Sequence, residues 1–179
     1  LITIWTQDPP PNSGTGPTPR EVAQIAIENM HLRAIDIGIA PEPGPDSIGL
    51  VGMPVWMWAK APSSQTFGPI TESASAGGIT ITATAKVLHV TWDMGDGTEV
   101  VCDTAGTPYK PEFGRKDSPD CGHTYKKSSA GQTDDAYTVT ATSSWVITWS
   151  GAGQTGTIRL DGLNRSTQIR IGEAQVLVN

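Results

Sequence analysis

The sequence predicts a mainly β protein with one N-terminal helix. Three observations lead there. Residues 79–92 and 137–149 are long stretches in which apolar side chains alternate with Thr, Ser or Lys, the period of a strand with one buried face. Between them, Trp92-Asp93-Met94-Gly95-Asp96-Gly97 has the chemistry of a tight turn. Its glycines accept positive φ, and its aspartates can fold back onto nearby backbone N–H groups. Finally, charged residues are only 17% and hydrophobic ones 37% of the chain, with 20 Gly and 14 Pro, a composition of turn-rich extracellular β proteins.

The 179 residues make one large domain or two small ones, enough to bury a real core. A net charge of −6, spread along the chain without a basic run, argues against nucleic acid and anionic membrane as partners. No apolar stretch approaches the roughly 20 residues of a bilayer span. The chain opens without Met and without a basic region leading into an apolar run, which reads as a mature or trimmed chain. Its two cysteines, Cys102 and Cys121, are read as a disulfide. Free thiols, or a metal pair helped by His123, are the competing readings, although C-x-H is not a common ligand spacing. A disulfide implies an oxidising compartment and therefore a secreted or cell-surface protein.

Taken in order, residues 1–6 alternate as a short strand would, and 8–19 read as an extended Pro/Gly/Ser/Thr linker. Thr18-Pro19-Arg20-Glu21 is a helix start, with Thr as N-cap, Pro at the first position and Glu closing a capping box. The helix is expected over 19–31, with Val22, Ile25, Ala26 and Asn29 on one face. Residues 32–40 read as a strand that the prolines of 41–46 break. A strand from Val55 puts Trp56 and Trp58 on one face and Val55 and Met57 on the other. Residues 68–75 suggest a short strand before the Gly77-Gly78 turn. From Ile79 the apolar phase runs to Val87, then switches to Leu88, Val90 and Trp92, which predicts a bulge near 86–88. Residues 137–149 form the strongest strand. A Gly-rich turn then leads to a hairpin strand at 157–160 and one or two final strands within 166–178, with a kink at Gly172.

The aspartate turn, the later His123-Thr124-Tyr125 and the Tyr137-Thr138-Val139-Thr140 strand together resemble the PKD domain, a module marked by a W-D-F-G-D-G turn, H-x-Y and Y-T-V-T. The resemblance covers roughly residues 78–150 and implies an immunoglobulin-like β-sandwich, with His123 and Tyr125 packed beside the turn. It divides the chain into an N-terminal extension, 1–67, packed on a PKD-like sandwich, 68–179, that ends in extra strands. The long loop between the cysteines and those extra strands depart from the family pattern. A helix, a strand and then G-L-V-G-x-P-x-W-x-W is also similar to secreted or surface proteins of actinobacteria, which points to a source but supplies no chemistry.

The candidate chemistry is thin. Asp93 and Asp96 are weak calcium candidates, because D-x-x-D-G lacks further acidic ligands; Asp93, Gly95, Asp96 and Gly97 read better as a structural turn. No other cofactor is implied. A small hydrolase using Asp93, Asp96 and His123 requires those side chains to converge in an open pocket. No G-x-S-x-G or H-E-x-x-H is present, and the histidines are His31, His89 and His123. Six tryptophans are the main hint: Trp56, Trp58 and Trp149 are candidate binding residues, against the alternative that they fill the core. The expected function is a non-catalytic extracellular or cell-envelope module that binds a protein or polysaccharide. A dedicated carbohydrate-binding module, with Trp56 and Trp58 exposed in a groove, is the first alternative.

Overall fold

The computed structural model describes residues 16–174 and is mainly β with one helix, in a sandwich-like arrangement. The helix, α1 (Pro19–Met30), begins as its sequence demands. Thr18 Oγ1 accepts from the Glu21 N–H, and the Glu21 carboxylate accepts from the Thr18 N–H. It ends where His31 turns left-handed at φ 51°. Its buried stripe is Val22, Ala23, Ala26 and Met30, whereas Ile25 is 39% exposed. The expected face is therefore rotated, and the reason is steric. The helix packs on strands that present Ala83 and Ala85, and alanine against alanine allows an approach that isoleucine would prevent.

The strands are β1 (Asp36–Ala40), β2 (Ile48–Leu50), β3 (Pro54–Lys60), β4 (Ile70–Ala76), β5 (Ile79–Asp93), β6 (Glu99–Cys102), β7 (Gly122–Thr124), β8 (Tyr137–Gly151) and β9 (Gln154–Gly172). They form a three-stranded sheet, β1-β3-β7, and a six-stranded sheet, β2-β9-β8-β5-β4, with β6 paired to the second half of β5. Both sheets and the helix contribute to one core. The stretch 1–67, expected as an extension, supplies β1 and β3 to the smaller sheet and β2 to the larger. The short strand expected within residues 1–6 and most of the 8–19 linker lie outside the described residues.

In place of separate strands at 157–160 and 166–178, β9 runs unbroken and pairs with β8 from Gly151↔Gln154 to Tyr137↔Ile169. Gly162, at φ 100°, absorbs an extra residue in a bulge, so the strand bends without ending. The bulge predicted on β5 is also present: Val87 pairs with Trp145 and His89 with Ser144, leaving Leu88 as the extra residue, 41% exposed. Leu88 therefore lies outside the buried set, which resumes at Val90 and Trp92. The two bulges flank Ser144 of β8, one on each neighbouring strand. On one side the helix packs against β4 and β5; on the other, the smaller sheet meets β9 through Asp36 and Arg165, 2.8 Å apart.

Candidate functional site

Three regions compete as a site: the aspartate turn, the outer face of the large sheet, and a cleft beside β2. At the turn, the Gly95 N–H donates to Asp93 Oδ1 at 2.9 Å and the Thr98 N–H to Asp96 Oδ1 at 3.0 Å. Gly95 and Gly97 hold positive φ of 78° and 86°, as the turn requires. His123 Nε2 meets Asp96 Oδ2 at 2.8 Å. Burial alone would raise the Asp96 carboxyl, but the His123 hydrogen bond, the Thr98 amide and the His123 charge together hold it below the usual carboxylate range. The Tyr125 hydroxyl donates to the Met94 carbonyl at 2.7 Å, and its ring stacks on Tyr137 at 4.5 Å with His123 edge-on at 4.6 Å. Burial, then the negative charge of Asp96, pushes both tyrosine hydroxyls upward.

The carboxylates thus cap their own turn, and His123 and Tyr125 lock it to β7. Asp93 does not join Asp96 and His123 in a converging set. Among the described residues, no three His, Cys, Asp or Glu side chains come together as metal ligands.

The outer face of the large sheet carries ranks of hydroxyls, such as Thr71, Thr84, Thr148 and Thr157 across β4, β5, β8 and β9. Many satisfy one another: Thr71 with Thr84 and Ser73 with Thr82, both at 2.8 Å, and Thr140 with Ser166 at 2.7 Å. One rank sets His89, Ser144 and Asp161 side by side on β5, β8 and β9, a juxtaposition that only the register of the two bulges creates. Ser144 lies between the other two, so Asp161 has no reach to orient His89, and among the described residues no hydrogen bond joins the three.

The tryptophans lie elsewhere than a binding row requires. Trp56 is 3% exposed: its indole stacks on Phe113 at 5.1 Å, meets Tyr109 edge-on at 5.4 Å, and donates from Nε1 to the Lys116 carbonyl at 2.8 Å. Trp58 is half-buried and lies on Gly38 of β1, where a Cβ would come within 2.1 Å of the indole. Trp149, 7% exposed, covers Gly156 of β9 in the same way. Trp56 and Trp58 do share a face, as parity predicts, but the loop between the cysteines covers it. The disulfide forms, with Cα atoms 5.6 Å apart, and joins β6 of the large sheet to the residue preceding β7 of the small one. Asp120 gathers the loop's base, accepting from Thr104 at 2.8 Å and Thr107 at 3.1 Å.

Where this loop meets β2 and β3, a cleft of about 250 Å³ opens, lined by Pro41, Ile48, Leu50, Met53, Trp56 and Tyr109 among others. Ile48 on its lip is 61% exposed and Leu50 38%. Sequence reasoning put Trp56 and Trp58 on one face of their strand but missed the cleft, since segments remote in sequence build it. The one available signal was a pair of apolar residues, Ile48 and Leu50, between Pro- and Gly-rich turns. Comparison with protein-family models, curated proteins and solved structures finds no match for the chain.

Proposed function

We propose that the chain is a non-catalytic interaction module of an extracellular or cell-envelope protein, and that it docks an apolar protrusion of a protein partner in the cleft beside β2. The observation that carries this reading is the exposure of Ile48 and Leu50 on the rim of an apolar, aromatic-floored cavity. Exposed apolar side chains grouped around a concavity favour a partner that removes them from water. The disulfide supports the oxidising compartment, and no described helix is long and apolar enough to cross a membrane. The self-capped turn supports the PKD-like reading of the module as scaffold. Against polysaccharide stands the burial of Trp56, which leaves no indole row open for stacking on sugars.

The test uses immobilised protein, wild type and Ile48→Asp, probed with solubilised envelope proteins and with a polysaccharide panel. Retention of a protein partner by the wild type and its loss in Ile48→Asp is the expected result. Retention of a polysaccharide, unaffected by Ile48→Asp, would overturn the reading. Ile48 is exposed, so the substitution leaves the fold intact.

A further inference from the structure

We infer that the chain forms a two-fold dimer by pairing β4 with the β4 of a second copy, on a surface separate from the cleft and independent of the docking reading above. Edge strands present unpaired N–H and C=O groups, and proteins guard them by shortness, charge, proline or a bulge. In the large sheet, β2 and β6 have only three and four residues. β9, open on one side ahead of Arg170, carries a bulge at Gly162 together with Arg159, Asp161 and Arg165. β4 has seven residues, with no proline, Lys, Arg or bulge, and Glu72 is its one charge. Among the described residues it pairs only with β5.

The helix above this edge makes it fit a second copy. α1 packs on both β4 and β5 and runs antiparallel to β4. Pro17, ahead of its first turn, lies against Gly77 just past the end of β4, where a Cβ would come within 2.6 Å of it. At the other end the Met30 carbonyl accepts from Gln65 Nε2 at 3.4 Å, shortly before β4 begins. Ile25 is at the middle of α1 and Ser73 at the middle of β4, so the two lie level. Residues two apart on a helix point about 160° away from each other. Ile27 packs against the core, so Ile25, 39% exposed, lies on the opposite flank, over the open edge.

A two-fold axis through Ser73 sets it opposite the partner's Ser73, Thr71 opposite the partner's Ser75, and Glu72 opposite the partner's Ala74. With strands about 4.8 Å apart, the two α1 helices then lie about 10 Å apart, the separation of packed helices. Ile25 meets the partner's Ile25, and Glu21 faces the partner's Asn29, so no like charges oppose. A foreign strand alone would satisfy the backbone of β4 and leave Ile25 in water. A second copy covers both about the same axis, by symmetry.

Sedimentation velocity of the purified full chain, from micromolar to millimolar concentration, tests the inference. The wild type is expected to dimerise with concentration. Ile25→Asp should dimerise roughly tenfold more weakly or worse, and Ile48→Asp, in the cleft, should dimerise like wild type. Position 73 fixes the axis, because there each residue meets its own copy. Ser73 is exposed, so its substitutions leave the fold intact. Ser73→Lys and Ser73→Glu alone should each dimerise roughly tenfold more weakly or worse, while an equimolar mixture should form a heterodimer tighter than either homodimer. A wild type that stays monomeric to millimolar concentration would overturn the inference, and is the result if a foreign strand or residues 1–6 take the edge instead. Ser73 variants that dimerise like wild type would also overturn it, as would a dimer lost in Ile48→Asp, which would place the contact at the cleft.

Discussion

Trp56 pins the stapled loop, and removing the pin should expose the loop to proteolysis by a calculable amount. The indole makes one hydrogen bond, to the Lys116 carbonyl, and one stack, on Phe113. Trp56→Phe keeps an aromatic ring but loses the bond, a net cost of about 1 kcal/mol, which raises the population of the opened loop about fivefold. Trp56→Ala also loses the stack and the buried ring, at about 3–5 kcal/mol, and raises it by roughly two to four powers of ten. Arg115 and Lys116 are exposed in that loop, and Lys110 precedes Pro111, so trypsin has its cleavable bonds at 115 and 116. Where reclosure outpaces cleavage, the rate of cutting follows the open population. The disulfide holds the cut halves together, so cleavage appears only after reduction, as two fragments. Equal cutting rates in wild type and Trp56→Ala would show that the indole does not hold the loop.

Replacing both Cys102 and Cys121 by Ser should lower the free energy of unfolding by about 3 kcal/mol, from the entropy of a loop with sequence separation 19, measured by urea denaturation. A loss well under about 1 kcal/mol would show that the bridge constrains little beyond what packing already fixes. Tyr125→Phe keeps both ring contacts but leaves the buried Met94 carbonyl unpaired, and should cost about 1–3 kcal/mol by the same assay; an unchanged midpoint refutes the lock between turn and β7. Asp96 sits below its ordinary value in the folded protein, so its contribution is full above about pH 3.9 and is lost as pH falls through the folded value. Asp96→Asn should therefore lower stability at neutral pH, and the difference from wild type should shrink as pH falls below that range; a pH-independent difference refutes the charged pair.

Much of the fold was legible because local chemistry and tertiary structure agree. The capping box, the alternation of β5 and β8 and the aspartate turn each demand one conformation, and the core accepts it. The bulge on β5 was legible for the same reason, as a change of phase between Val87 and Val90. The rest depended on partners that no local pattern names. The helix face was misjudged because Ile25 looks like a better core residue than Ala23, and only the alanines of the underlying strands reverse that order. The continuity of β9 was missed because Asp161-Gly162 resembles a turn, while a full-length partner, β8, turns it into a bulge. The tryptophans were open to a surface reading because parity gives a strand face without saying what lies on it.

That last point links stability to function. Tyr109 and Gly114, one wall of the cleft, belong to the loop that Trp56 pins, whereas Ile48 and Leu50 belong to a strand of the large sheet. The cleft is therefore as well formed as the loop is closed. A partner that binds only the closed loop pays the opening equilibrium, so its apparent affinity falls by the closed fraction. While the loop is closed in almost every molecule, a fivefold rise in a small open population barely changes that fraction. Trp56→Phe should then quicken proteolysis without weakening docking, and Trp56→Ala should do both. Calorimetry or sedimentation of the two variants beside the cleavage assay separates the effects: equal loss of docking in both would mean that Trp56 contributes to the contact itself and not only to its wall.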